Sequence, residues 1–573
     1  MLKINAAKSL VVILFCCPLV IYSQIASTDI DPFLYVQQKK TECRHGAVVS
    51  AHPLASKVGV EILKKGGNAV DAAIATQLAL AVVYPGAGNI GGGGFMVAHL
   101  SGGKNIAIDF REKAPDKASR NMYLDSNGNA QTNLSQNGHL SAGVPGTIAG
   151  IFSEMKYARL PFKKLIQPAI DLAEKGFAIS AAEARNLNEA REEFKKYNTI
   201  LPVFVKSAPW KEGDTLIQKD LAKTLKLIRD NGAKGFYEGE TAQLIISEMK
   251  RGNGIITLED LKNYTAKERE PAVFKYKTDY TVITMPLPAS GGVLLPQMMR
   301  MVEDQPLKNY GFETVQSVHL MVEVERLAYA DRAKYLGDKD YYKVPAKFLS
   351  SYPYVMERMK LYDPSKAGNS KDIQAGNVAP ESEETTHFEV YDREGNAVSI
   401  TTTLNGEYGS HTVVAGAGFL LNNEMDDFSI KPGVPNMYGA VGGEANAIAP
   451  GKRMLSSMTP TIVLQKEKPY LVVGTPGGTT ITTSVFQTLI DILEFNMNPD
   501  DAVNKPKFHH QWLPDVIFIE KGFPADVKEQ LTQMGYKIYQ REAIGRTEVI
   551  QILPDGKIIA VGDRRGDDSA EGY

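Results

Sequence analysis

The stretch TTHFEVYDREGNAVSITTTLNGEYGS, residues 385–410, decides the fold. From His387 to Tyr391 polar and apolar residues alternate, the period of a half-buried strand. Asp392, Arg393, Glu394, Gly395 and Asn396 then make a turn, and a second strand covers residues 397–404. Upstream, Glu381, Ser382, Glu383 and Glu384 form a charged run that breaks strand patterning, so Thr385 stands where a loop becomes a strand. A cut between Glu384 and Thr385 would give Thr385 both a hydroxyl and a free α-amine. A hydroxyl is a weak nucleophile at neutral pH, and an α-amine with a pKa of about 8 can take its proton from within the same residue.

Further motifs follow in order: LLNNEMDDFS at 420–429, PGVPNMYG at 432–439, KRMLSSMTPTIV at 452–463 and GTPGG at 474–478. Together with the hairpin these resemble the small subunit of the γ-glutamyltransferases, which are N-terminal nucleophile hydrolases. Three earlier motifs resemble the large subunit of the same family: residues 51–75, GNIGGGGFMV at 88–97 and AIDFREKAP at 107–115. The likeness spans nearly the whole chain after the first forty residues. It implies an α+β fold, a four-layer αββα sandwich of the N-terminal nucleophile hydrolase type, built as one intertwined unit. Two autoprocessed chains would share that unit, a large subunit at 24–384 and a small catalytic subunit at 385–573.

The resemblance also implies roles. Thr385 would be the nucleophile, Thr403 would orient its hydroxyl, and Gly477 with Gly478 would form the oxyanion turn. Arg111, Ser456 and Ser457 occupy positions that bind the α-carboxylate of a glutamyl donor, while Asn405, Glu424 and Asp427 occupy those near its α-ammonium. Glu424 stands where bacterial members often have Gln; either accepts a hydrogen bond from an ammonium, so affinity should change more than reaction type. Tyr438 would be the aromatic gate of a lid. The expected donors are γ-glutamyl compounds such as glutathione and the acceptors water, amino acids or dipeptides, with no cofactor and no metal. Taken singly, each of these residues has an ordinary reading as a loop cap, an exposed charge or a packed tyrosine. Arg111 is the clearest case: its planar fork suits a carboxylate, yet an arginine at a strand end is more often a surface ion pair.

Composition fits this picture. The chain has 573 residues, 43% hydrophobic and 23% charged, with a formal net charge of −2, so it lacks the basic excess that nucleic-acid or membrane-surface binding favours. Residues 1–23 read as a secretory signal, with Lys3 and Lys8 ahead of an apolar core at residues 10–21. At ~1.5 Å per residue that core is too short to span a bilayer comfortably, so no stable membrane anchor is expected. Phe15 before Cys16 disfavours a lipid-modified cysteine. After cleavage only Cys43 remains, as a buried or half-buried thiol, which excludes an internal disulfide and fits a bacterial periplasm or cell surface.

The remaining local signals are modest. Helices are expected at residues 54–65 and 69–83, parted by Gly66 and Gly67 as a C-cap and Asn68 as an N-cap. Gly91 to Gly94 lack the ending of a phosphate loop and read as tight backbone packing. Amphipathic helices with solvated charges are expected at 162–174, 215–230, 241–249 and 314–335. The segment PLPASGG at 286–292 leads from a strand into a helix and is expected near a sheet edge beside the site, and residues 360–380 read as a mobile tail. His509 and His510 have no third ligand at suitable spacing, so a metal pair is rejected. Two competing functions remain: a related acylase or poly-γ-glutamate hydrolase on the same fold, and a non-catalytic exported binding protein that is never cut.

Overall fold

The computed structural model describes residues 30–373 and 386–573. Two seven-stranded antiparallel sheets lie at its centre. In spatial order, the first contains Lys40–Cys43, Ile558–Val561, Glu548–Ile552, Lys468–Gly474, Thr461–Gln465, Tyr280–Thr284 and Ala272–Tyr276. The second contains Ser569–Gly572, Gly46–Ser50, Thr386–Asp392, Ala397–Thr403, Gly93–His99, Asn105–Asp109 and Lys267–Arg269. Between the sheets pack Val49, Phe95, Val97, Ile283, Ile462, Val472 and Ile550. Helices including Ala69–Val83 and Phe162–Lys175 cover the outer face of the second sheet. Gly291–Glu303, Val315–Tyr335 and Thr480–Leu493 cover the first. The order is therefore helix, sheet, sheet, helix, the expected αββα sandwich. Each sheet interleaves strands from before and after residue 385, so a break there would leave both pieces sharing both sheets.

Local chemistry explains the elements that carry the site. Asn68 Oδ1 accepts from Asp71 N at 2.9 Å while Asp71 Oδ2 accepts from Asn68 N at 2.8 Å, a reciprocal cap that starts the wholly buried helix Ala69–Val83. Gly91 and Gly92 answer to packing: a Cβ on either would come within 2.0 Å of the Leu420 or Thr403 carbonyl oxygen. Cys43 is half-buried on an edge strand.

Four expectations need correction. The strand Thr386–Asp392 is buried on both faces rather than one, because it lies inside the sandwich. Phe388 and Val390 pack against the helical layer, whereas His387 and Glu389 face the other sheet. There His387 Nδ1 lies 2.9 Å from Thr401 Oγ1, and its ring sits where a Gly474 side chain would be. The helix Val315–Tyr335 is not a solvated face: Glu323, Glu325, Arg326, Asp331 and Arg332 are all buried. Residues 215–230 divide into a short strand, Thr215–Leu216, and a helix, Lys219–Asn231. The described part of the supposed tail is docked: Trp512 Nε1 donates to the carbonyls of Ser370 and Ile373 at 3.1 and 3.0 Å. Residues 374–380 of that tail, and the signal at 1–23, lie outside the described residues.

Burial between the sheets pushes the Glu389 and Glu548 carboxyls well above the ordinary range, with Asp568 and Glu389 adding to the shift of Glu548. A carboxyl raised by folding binds protons that the unfolded chain has released, so stability falls as pH rises above the ordinary carboxylate range. Melting temperature should decline from pH 5 to pH 9, with a shallower slope in Glu548→Gln. Equal slopes in the two proteins would contradict this.

Candidate active site

Thr403 ends the second central strand, and Asn405 follows in a left-handed conformation at φ 77° that asparagine tolerates. This bend turns the chain into one cleft. Arg111, Thr403, Asn405, Glu424, Asp427, Tyr438, Ser456, Ser457 and Gly478 all line it. Gly477 immediately precedes Gly478 in the same turn. Thr385 and Glu384 lie outside the described residues; the strand that follows them begins at Thr386, opposite Thr402 and one residue from Thr403 in the sheet.

Arg111 is wholly buried, not a surface ion pair. Its amide donates to Asp109 Oδ1 at 3.0 Å, and Tyr264 Oη donates to its carbonyl at 2.6 Å, which aims the side chain inward from the strand end. Nη1 donates to Glu424 and Nη2 to Asp427, so the group expected to hold a carboxylate already holds both acids expected to hold an ammonium. Glu112 lies 3.7 Å from Nη1, buried and, among the described residues, without a hydrogen-bond partner for either carboxyl oxygen. Burial lowers the affinity of the guanidinium for its proton, but Glu424, Asp427 and Glu112 outweigh burial and hold Arg111 above its ordinary value. The acids respond in the opposite sense to burial: Glu112 is pushed up to about 8 and Glu424 well above its usual range, although Arg111 pulls both down.

The serines arrive from another direction. Ser456 N donates to the Pro288 carbonyl at 2.9 Å and Ser290 N to the Ser456 carbonyl at 2.7 Å, so the PLPASGG segment does reach the site, as a backbone rail. Ser456 Oγ accepts from Met458 N at 3.2 Å and Thr403 Oγ1 from Asn405 N at 2.8 Å. Each hydroxyl thus keeps its own proton for another acceptor. Gly477 and Gly478, at φ 135° and 51°, precede the helix Thr480–Leu493, where amides carry partial positive charge toward an oxyanion.

The lid is closed. Tyr438 is buried, its hydroxyl donates to the Asn405 carbonyl, and its ring leaves no room for a Cβ on Gly478, which would meet it at 2.5 Å. Asp427 Oδ1 accepts from Asn436 Nδ2 at 2.9 Å and Asp426 Oδ2 from Met437 N at 2.7 Å, latching the loop. Gly478→Ala should therefore displace the lid and the oxyanion turn together, lowering kcat/KM by about 100-fold. Unchanged hydrolysis rates in that variant would contradict the placement of Tyr438 over Gly478.

Sequence reasoning missed Arg332, Asn436 and Thr479, which also line the cleft. Asn436 was within reach, since it lies in the lid motif. Arg332 was not, because its helix carries charge on every face. His509 and His510 are held separately, by Thr483 with Gln511 and by Asp515.

Known proteins resemble this chain over most of its length. The glutathione hydrolase proenzyme of Escherichia coli K12 is 46% identical over 535 residues, covering 92% of each chain. Cephalosporin acylase from Bacillus halodurans superposes with a TM-score of 0.81 at 26% identity, covering 96% of this chain and 99% of that one. The γ-glutamyltranspeptidase of Helicobacter pylori superposes with a TM-score of 0.56 at 48% identity, over 57% of this chain and 94% of that one. A family model described as gamma-glutamyltranspeptidase matches residues 55–573, and with the αββα sandwich and its cleft in place, this chain belongs to the γ-glutamyltranspeptidase family of N-terminal nucleophile hydrolases.

Proposed function

We propose that the chain is the precursor of a γ-glutamyltransferase with glutathione hydrolase activity, cut by its own Thr385. The hydroxyl of Thr385 attacks the Glu384 carbonyl, the Glu384–Thr385 amide becomes an ester, and water hydrolyses it to free the Thr385 α-amine. The products are a large chain ending at Glu384 and a small chain at 385–573, held as a heterodimer by their interleaved strands. Proenzyme names among the relatives support this processing.

In the mature enzyme Thr385 attacks the γ-carbonyl of the donor while its α-amine takes the hydroxyl proton and passes it to the leaving amine. Thr403, whose oxygen already accepts from Asn405 N, donates its proton to orient the Thr385 hydroxyl. Gly477 and Gly478 receive the oxyanion. Water, an amino acid or a dipeptide then accepts the γ-glutamyl group.

The observation that carries the reading is the zwitterion-shaped cleft, in which one buried arginine lies against two carboxylates with two serines beside it. A glutamyl α-carbon offers the complementary pair: its ammonium takes over Glu424 and Asp427, and its carboxylate takes Arg111, Ser456 and Ser457. A simple acyl group without those charges would leave Arg111, Glu424 and Asp427 to one another, which disfavours the acylase alternative. No helix among the described residues is long and apolar enough to cross a membrane, and residues 1–23 act as an export signal in this proposal.

Purified protein should run as two bands on a denaturing gel, release 4-nitroaniline from γ-glutamyl 4-nitroanilide, and consume glutathione faster when a dipeptide acceptor is added. Two bands without turnover of either donor would refute the substrate assignment.

A further inference from the structure

Arg332 is a buried charge with no carboxylate in ion-pair contact among the described residues, and Asp427, whose charge acts on it, is held by Arg111. Only 8% of Arg332 is exposed, and among the described residues its guanidinium makes one hydrogen bond, from Nη2 to Ser457 Oγ at 3.0 Å. Nε has no hydrogen-bond partner among the described residues. The acid next to it in sequence is engaged elsewhere, since Asp331 accepts from Gln297 and Tyr354 at 2.8 and 2.9 Å and lies 3.5 Å from Arg358. Asp427, which also reaches the cleft, is bound to Arg111. A desolvated guanidinium facing one neutral hydroxyl leaves several kcal/mol of charge burial uncompensated, so the site is complete only when an anion joins it.

The cleft says which anion. Arg332 lines it together with Arg111, Ser456 and Ser457. Ser457 Oγ spends an acceptor position on Arg332, so its proton points to a further acceptor, just as Ser456 is set by Met458 N. Both hydroxyls are thus arranged as donors beside an arginine, the donor set of a carboxylate. In the empty cleft Arg111 is held by Glu424 and Asp427, so a donor carboxylate shares its charge with those acids. The helix that carries Arg332 also fixes the oxyanion turn, where Tyr329, one helical turn earlier, donates to the Thr479 carbonyl.

Resting on the γ-glutamyl reading above, we infer that Arg332 is a positioning residue of the donor-carboxylate site, holding Ser457 as a hydrogen-bond donor and supplying the second positive charge for the α-carboxylate. Its effect is selective for donors that carry that carboxylate.

The test compares γ-glutamyl 4-nitroanilide with 4-aminobutyryl 4-nitroanilide, which keeps the amine and lacks the carboxylate. In the matured enzyme, Arg332→Met should lower kcat/KM on the first by about 30-fold or more, mostly through KM, and on the second by less than about threefold. Arg332→Lys should recover a substantial part of the loss. Ser457→Ala placed in Arg332→Met should add little, because the two residues act as a unit. Equal losses on both substrates, or a loss confined to kcat, would overturn the inference. If Arg332→Met fails to mature, Arg332→Lys alone still decides, by whether its loss follows the carboxylate. Wild-type enzyme that does not discriminate between the two anilides would instead refute the γ-glutamyl reading itself.

Discussion

Replacing Thr385 with alanine is expected to leave one uncut polypeptide on a denaturing gel and to abolish γ-glutamyl anilide hydrolysis, a loss of about 10⁴-fold or more. In the proposed mechanism both effects have one origin: the same oxygen attacks the Glu384 carbonyl in the precursor and the donor γ-carbonyl in the mature enzyme, and no neighbouring hydroxyl is placed to replace it. Thr403 Oγ1 is already engaged by Asn405 N, and Thr386 belongs to the sheet through its pairing with Thr402. Thr385→Ser keeps an attacking oxygen and should still cut, more slowly, with reduced but measurable turnover. Two bands from the alanine variant, or retained turnover, would refute the assignment of the nucleophile.

Arg111→Gln is expected to be nearly as damaging, and by a different route. The guanidinium is the only cation within ion-pair distance of Glu424 and Asp427 among the described residues, and Glu112 stands 3.7 Å away. Removing it strands the two buried carboxyls of Glu112 and Glu424 and the part-buried one of Asp427. The fold should lose about 3–5 kcal/mol, the usual cost of breaking a buried pair from one side. Those carboxyls would then be raised further above the ordinary range, so the variant's native state holds protons that its unfolded chain releases. The stability deficit should accordingly be larger at pH 8 than at pH 5. Catalytic efficiency should fall by about 10³-fold, because the donor loses its two-pronged carboxylate partner. Arg111→Lys, with a charge but no fork, should fall between. Thermal melts at both pH values with steady-state kinetics check this, and an unchanged KM with an unchanged melt would contradict the role given to Arg111.

The parts of this fold that were legible in the sequence are those encoded locally. The hairpin around Gly395 follows from period-two alternation and turn residues. The helix at Ala69–Val83 follows from the Asn68 cap, and the turn into the helix Thr480–Leu493 from two consecutive glycines before an apolar run. The cleft residues were legible only through the family resemblance, since nothing in the spacing of Arg111, Asp427 and Ser456 announces that three separate segments meet. Burial was the least legible property. His387 and Glu389 look like the wet face of a strand, but a second sheet covers them. Arg332 looks like one solvated charge among many on its helix, yet tertiary packing puts it against Ser457. Residues 367–373 look like a tail, and what holds them is Trp512 and Asp515, partners far along the chain that no local pattern reveals.

The claim on which the mechanism rests is that catalysis begins when Thr385 becomes a chain terminus. Sequencing the N-termini of active, wild-type protein tests it most directly. A smaller chain beginning Thr385, Thr386, His387, with activity rising in step with its appearance, is the expected result. Full activity in a polypeptide still continuous through Glu384 and Thr385 would contradict it.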